Sequence, residues 1–156
     1  MSFRVGIGVD AHAFTEGVPL VLGGVRFDFP RGLAGHSDGD VITHALIDAV
    51  LGAAGLGDIG SLFPSDGSTP QGISSLDLLQ DAVAQVREAG YSIVNADCVL
   101  IGEEPRIAAR RGELDQTLTN LVGAPVSVRA TTTDRLGFTG RGEGLAAQAV
   151  ALVERA

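Results

Sequence analysis

The chain has no tryptophan, a single cysteine, a single tyrosine and only 4% aromatic residues. Without aromatic side chains in series there is no stacking platform for a single-stranded nucleic acid. Positive charge is also short: 11 Lys and Arg stand against 19 Asp and Glu, for a net charge of -8. That balance argues against a protein that lives on a phosphate backbone, so no nucleic-acid partner is expected. An anionic substrate stays open provided metal ions or local arginines neutralise it. One cysteine cannot form an internal disulfide. Cys98, inside the apolar run Ala96–Ile101, reads as a small buried hydrophobe in a reducing compartment. No apolar run approaches membrane-spanning length, so no membrane partner is expected. Strand-like sequence begins almost at once, with no signal or transit segment, and the expected location is cytoplasmic.

What is present fits one domain. The 156 residues are 45% apolar, enough for a core, and the 22 glycines are dispersed as turn formers rather than repeated. Residues 1–156 therefore read as a single domain. Phe3–Asp10 alternates as a strand and runs on into AHAF; Leu20–Val25 and Val25–Phe29 form a short hairpin about Gly23 and Gly24. The stretch GHSDGDVITHALIDAVLGAAGLGDIG, Gly35–Gly60, is a polar turn feeding an apolar helix from Val41, capped by Ser37 or Asp38. Ser65–Gly72 is a loop flexible enough for a lid. Ser74–Ala89 is a second helix burying Leu78, Leu79, Ala82, Val83 and Val86, and Gly90 stops it. Tyr91–Ile101 is a strand, Arg106–Val122 a third helix, Pro125–Thr132 a strand and Leu145–Arg155 a closing helix. The alternation predicts an α/β (α+β) two-layer sandwich, a mixed sheet with helices on one face.

Three stretches carry chemistry. Asp10 and His12, two apart on a strand, leave the same face. With His44 on the helix they offer one carboxylate and two imidazoles, the three-ligand arrangement of a catalytic zinc with an open position. The alternative for Asp40, His44 and Asp48 is a solvated polar stripe. Thr131–Gly144, TTTDRLGFTGRGEG, begins at a strand end: Thr132 and Thr133 can donate to phosphate, Asp134 can hold a hard cation and Arg141 offers a fixed fork of donors. Its alternative is a glycine-rich turn. In IGEEPRIA, Ile101–Ala108, the backbone can grip a base and Arg106 can meet a phosphate, or the stretch is an ordinary connection. GIGVDA is a poor dinucleotide loop, because no helix follows it.

Together DAHAF, GHSDGDVITHAL, GLGDIGSLFP and ATTTDRLGFTGRGEG, in that order, resemble the 2-C-methyl-D-erythritol 2,4-cyclodiphosphate synthase family over essentially the whole chain. The resemblance implies a homotrimer with active sites at subunit interfaces. It implies conversion of 4-diphosphocytidyl-2-C-methyl-D-erythritol 2-phosphate to the cyclic 2,4-diphosphate with release of CMP, in the non-mevalonate isoprenoid pathway. By resemblance, Asp10, His12 and His44 match zinc ligands, and Asp134 matches the segment for a second ion, Mg²⁺ or Mn²⁺. His36 and Thr132 match positions that assist the transition state. Substrate positions match Asp10, Ala11, His12, His36 and Ser37; Asp58, Ile59, Gly60 and Phe63; Gly102, Glu103, Glu104, Pro105, Arg106, Ile107 and Ala108; and Thr131, Thr132, Thr133, Asp134, Phe138 and Arg141. Arg141 and Glu143 also match the lining of a threefold cavity where a prenyl diphosphate is a further expected ligand. Three departures stand out: Asp134 where the family often has Glu, SDGSTP after Phe63-Pro64, and a cytidine loop ending EEPR rather than in Lys. Two rival readings are a zinc phosphohydrolase, releasing inorganic phosphate, and a non-catalytic trimer that binds prenyl diphosphates.

Overall fold

In the computed structural model, which describes residues 1–155, the long first strand is the spine. β1 (Ser2–Thr15) is followed by the hairpin β2 (Leu20–Leu22) and β3 (Val25–Phe27), the short β4 (Gly32–Leu33) and α1 (Val41–Ala54). Then come α2 (Ile59–Leu62), α3 (Ser75–Glu88), β5 (Ser92–Ile101), a 3-10 turn at Ala108–Arg110, α4 (Arg111–Val122), β6 (Val126–Thr131), α5 (Gly137–Gly140) and β7 (Gly144–Arg155). Five strands make one mixed sheet in the order β4-β1-β7-β5-β6, in which β5 and β6 pair in parallel and the other neighbours antiparallel. β2 and β3 form the expected separate hairpin. Among the described residues no helix is long and apolar enough to cross a membrane.

The expected closing helix is a strand. Leu145–Arg155 lies as β7 at the centre of the sheet, paired with β1 along one edge and β5 along the other. Alanine favours helix locally, but here Ala147, Ala149, Ala151 and Val153 alternate inward while Gln148 and Val150 face out. Two full ladders of backbone bonds and a period-2 core face override the local preference. The third helix is also shorter than expected. A 3-10 turn at Ala108–Arg110 comes first, and regular helix begins at Arg111 rather than Arg106.

Small residues set the spacing between helix and sheet. Gly6 and Gly8 on β1 lie against α1 so closely that a Cβ on Gly6 would collide with the Ala49 carbonyl, and one on Gly8 with that of Ala45. Ala45, Ala49 and Ala53 complete this contact, all fully buried. α3 packs on α1 with the expected stripe Leu78, Leu79, Ala82, Val83 and Val86 in the core. The other face of β1 is open: Phe3, Val5, Ile7 and Val9 are each more than half exposed.

The cap of α1 is neither Ser37 nor Asp38 but Asp40, which accepts from Thr43 N–H. Asp40 is fully buried, and its carboxylate also takes the Thr43 hydroxyl at 2.6 Å and the Gly23 and Gly24 N–H groups at 2.8 and 2.7 Å. It ties the hairpin to the start of the helix, so the stripe Asp40, His44 and Asp48 is not a solvated one: the first two are buried and the third half-buried.

Candidate metal centre and nucleotide cleft

Gly6, Gly8, Asp10 and His12 share one face of β1, by the period of two. The close approach that the glycines allow brings α1, and with it His44, over the upper end of that face. Asp10 Oδ2 lies 2.7 Å from His12 Nε2 and 3.1 Å from His44 Nδ1, and the two ring nitrogens are 3.1 Å apart. Among the described residues this is the only cluster of three or more His, Cys, Asp or Glu side chains able to hold a metal ion. Two imidazole nitrogens and a carboxylate converging so tightly require a shared proton or a cation between them, and the donor set fits a divalent metal.

The outer ring nitrogens show which lone pairs point inward. His12 Nδ1 donates to the Ala34 carbonyl at 2.6 Å, leaving Nε2 free to face Asp10. His44 Nε2 sits 2.9 Å from Ser37 Oγ and 2.8 Å from Ser75 Oγ, leaving Nδ1 toward the cluster. Burial pushes the Asp10 carboxyl up, but its close contacts with the His12 and His44 ring nitrogens outweigh it and bring it from 3.8 to about 2. The bond to Asp10 raises His12 above its ordinary 6.5 against the opposing effect of burial.

These shifts set a pH window for the metal-free chain. A carboxyl lowered by folding stabilises above its unfolded pKa of 3.8 and loses that effect as pH falls toward about 2. A histidine raised by folding stabilises below 6.5 and loses that effect as pH rises through its folded value. The melting advantage of the metal-free wild type over Asp10→Asn is therefore expected to be greatest between these limits. A chelated sample scanned at several pH values checks this; an advantage still growing above neutral pH would contradict it.

Around the cluster runs a cleft of about 180 Å³ lined by Asp10, His12, His36, Ser37, His44, Ile59, Gly60, Phe63, Ser65 and Thr69, with Ile73 and Leu78 behind. Ile59 is placed by Asp48, whose Oδ1 accepts its N–H at 2.7 Å. The Ser65–Gly72 loop is sewn to the turn from both sides: His36 Nε2 donates to the Thr69 carbonyl at 2.6 Å and Gly72 N–H to the His36 carbonyl at 2.7 Å.

A second cleft of about 250 Å³ is lined by Gly102, Glu103, Pro105, Arg106, Ile107, Ala108, Ala130, Thr131 and Thr132. It shares no residue with the first. A third, of about 390 Å³, gathers Arg31, Arg106, Arg135 and Arg141 with Glu103, Glu104, Phe14 and Phe29. Between them Asp134 and Arg135 hold left-handed φ of 52° and 65°, uncommon for non-glycine residues, and Glu103 Oε1 accepts the Arg135 N–H at 2.9 Å. Ala11, Asp58, Thr133, Asp134 and Phe138 line none of these clefts. Ala11 faces the side of the sheet opposite Asp10 and His12, Asp58 caps α2, and the Thr133 hydroxyl donates to the Leu136 carbonyl at 2.6 Å.

Sequence reasoning missed Ser75, Asp48, Thr69 and the Ala34 carbonyl. Ser75 follows the capping Ser74 in an ordinary helix start, and nothing in ISSLDLL signals a neighbour of His44.

Residues 3–154 match the family model described as the YgbB family. A protein of Syntrophobacter fumaroxidans named 2-C-methyl-D-erythritol 2,4-cyclodiphosphate synthase is 54% identical over 153 residues, covering 96% of each chain. One of Rubrobacter xylanophilus with the same name is 52% identical over 160 residues, covering 99% of this chain and 96% of its own. Among solved structures, the bifunctional IspDF of Campylobacter jejuni superposes with a TM-score of 0.95 at 37% identity, over 99% of this chain and 43% of that one. A CDP-bound 2C-methyl-D-erythritol-2,4-cyclodiphosphate synthase superposes with a TM-score of 0.87 at 36% identity, over 97% of this chain and all of that one.

Proposed function

Because the chain belongs to the YgbB family and is an enzyme of the cyclodiphosphate-forming step of non-mevalonate isoprenoid synthesis, we propose that its two clefts are halves of one active site completed between subunits of a cytoplasmic homotrimer. The observation that carries this reading is the separation of the metal cluster from the Gly102–Thr132 cleft within a single chain. The open apolar face of Phe3, Val5, Ile7 and Val9 supports it, since such a contiguous patch is an interaction surface in waiting. Each chain folds as one domain.

The substrate is 4-diphosphocytidyl-2-C-methyl-D-erythritol 2-phosphate, a reading supported by the CDP-bound relatives. Its 2-phosphate oxygen attacks the β-phosphorus, the bond to the α-phosphate oxygen breaks, and CMP leaves. A phosphate monoester is largely ionised near neutrality, its second pKa being about 6, so the chain needs no strong general base. It must fold the substrate on itself and spread the developing charge. Zinc on Asp10, His12 and His44, and magnesium or manganese beside Asp134, supply Lewis acidity to the diphosphate when bound. Ile59 and Gly60 line the first cleft, and with Asp58 they hold the methylerythritol or ribose hydroxyls. His36 and Ser37 face the phosphates from the turn, and His36 and Thr132 assist the transition state. Gly102–Ala108 hold the cytidine, with Arg106 toward its phosphates and Thr131 to Asp134 on the diphosphate. Phe138 and Arg141 make late contacts to the substrate, and Arg141, ion-paired to Glu143 at 2.9 Å, lines with it a threefold cavity that takes a prenyl diphosphate.

Phosphorus NMR of the chain with this substrate and Mg²⁺ tests the reaction. CMP together with two coupled resonances of a cyclic diphosphate is expected; inorganic phosphate would instead indicate hydrolysis. Asp134→Ala is expected to raise the magnesium concentration needed for half-maximal rate by about tenfold, the loss of one hard oxygen ligand. An unchanged magnesium titration would remove Asp134 from that role.

A further inference from the structure

His44 holds its place by more than the helix that carries it. Ser75, fully buried at the start of α3, directs its Oγ at His44 Nε2 from 2.8 Å. The same Oγ makes a short hydrogen bond to Asp38 Oδ1, and the Ser75 N–H donates to Asp38 Oδ2 at 3.0 Å. A hydroxyl has one proton, and a carboxylate can only accept. With the Ser75 proton committed to Asp38, its oxygen accepts from His44, which fixes the His44 proton on Nε2 and turns the Nδ1 lone pair toward Asp10 and His12. Asp38 is itself held, accepting the Asp40 N–H at 3.1 Å on Oδ1 and donating its own N–H to the Ile73 carbonyl at 3.1 Å.

We infer that Asp38 and Ser75 are positioning residues for the metal cluster, a carboxylate–hydroxyl–imidazole chain that presets the tautomer and ring orientation of His44. The inference rests on the metal-site reading above and extends it to two residues outside the cleft lining. It also assigns Ser37 a different part. Ser37 Oγ lies 2.9 Å from the same nitrogen and accepts the Gly39 N–H at 3.3 Å, but among the described residues no carboxylate claims its proton, which is left to donate to a bound phosphate. Asp38 and Ser75 thus serve the ligand, and Ser37 serves the substrate.

The test uses the full chain and zinc alone. Zinc affinity is measured by competition with a chromophoric chelator, the cobalt-substituted absorption spectrum reports ligand geometry, and melting of the metal-free chain reports stability. Ser75→Ala is expected to weaken zinc binding about 10–100-fold, the usual effect of removing a ligand's outer partner, and to alter the cobalt spectrum. Ser75→Thr, which keeps the hydroxyl, is expected to recover most of that affinity. Should Ser75→Ala fail to fold, Asp38→Asn is measured in its place: the exchange of one carboxylate oxygen for an NH2 disturbs the same chain and is expected to weaken zinc in the same direction. A variant that folds, melts lower and yet binds zinc within about twofold of wild type, with an unchanged cobalt spectrum, would overturn the inference and leave Ser75 a tie for α3. If wild type binds no zinc at all, the metal-site reading itself fails, and the wild-type titration shows that before any variant is made.

Discussion

His44→Ala is expected to bind no stoichiometric zinc and to turn over at least about a thousandfold more slowly, equivalent to about 4 kcal/mol of lost transition-state stabilisation. The magnitude follows from what the imidazole does. It supplies one of three converging ligand atoms, and the remaining pair, Asp10 Oδ2 and His12 Nε2, lie 2.7 Å apart with nothing to complete the set. The fold should survive, because the imidazole is a small part of the buried face of α1, and the contacts of Ala45, Ala49 and Ala53 with the sheet are untouched. Metal content by atomic absorption, assembly by sedimentation and rate by CMP release separate the three effects. Wild-type turnover in a verified zinc-free variant would contradict the assignment.

Gly8→Val is the largest structural prediction. The added side chain would meet the Ala45 carbonyl, part of the helix backbone, which has no rotamer to move away. The helix must lift from the sheet, at an expected cost of about 3 kcal/mol or more. For a chain of this size that lowers the melting temperature by about 6–12 °C. The same shift carries His44 away from Asp10 and His12, so zinc affinity should fall as well, although Gly8 is not a ligand. Differential scanning calorimetry and a zinc titration check both halves. A variant as stable as wild type would mean that the helix does not pack as described.

Much of this architecture was legible in the chain. The strand carrying Asp10 and His12, the hairpin at Gly23 and Gly24, α1 from Val41 and the buried stripe of α3 all follow from periodicity and turn residues. Leu145–Arg155 was not, because its alanines suit a helix locally, and only pairing on both edges makes it a strand. The burial of Asp40 was hidden for a related reason. Its helical spacing with His44 and Asp48 is local, whereas its burial is produced by Gly23 and Gly24, distant in sequence. The Asp10, His12 and His44 cluster was legible because Asp10 and His12 are neighbours on one strand and histidine is scarce, with three in the chain. Ser75 was not, since its contact with His44 depends on how α3 lies across α1, which no spacing in the sequence encodes.

The most direct test of a shared active site is to mix two inactive subunits. His44→Ala disables the metal half, and Thr132→Ala combined with Asp134→Ala disables the nucleotide half. Neither is expected to release CMP alone. Co-assembled in equal amounts, they are expected to recover about a quarter of the wild-type rate, because an interface draws an intact half from each of two neighbours in about one case in four. No recovery in a verified mixed assembly would place the whole site within one chain and contradict the account.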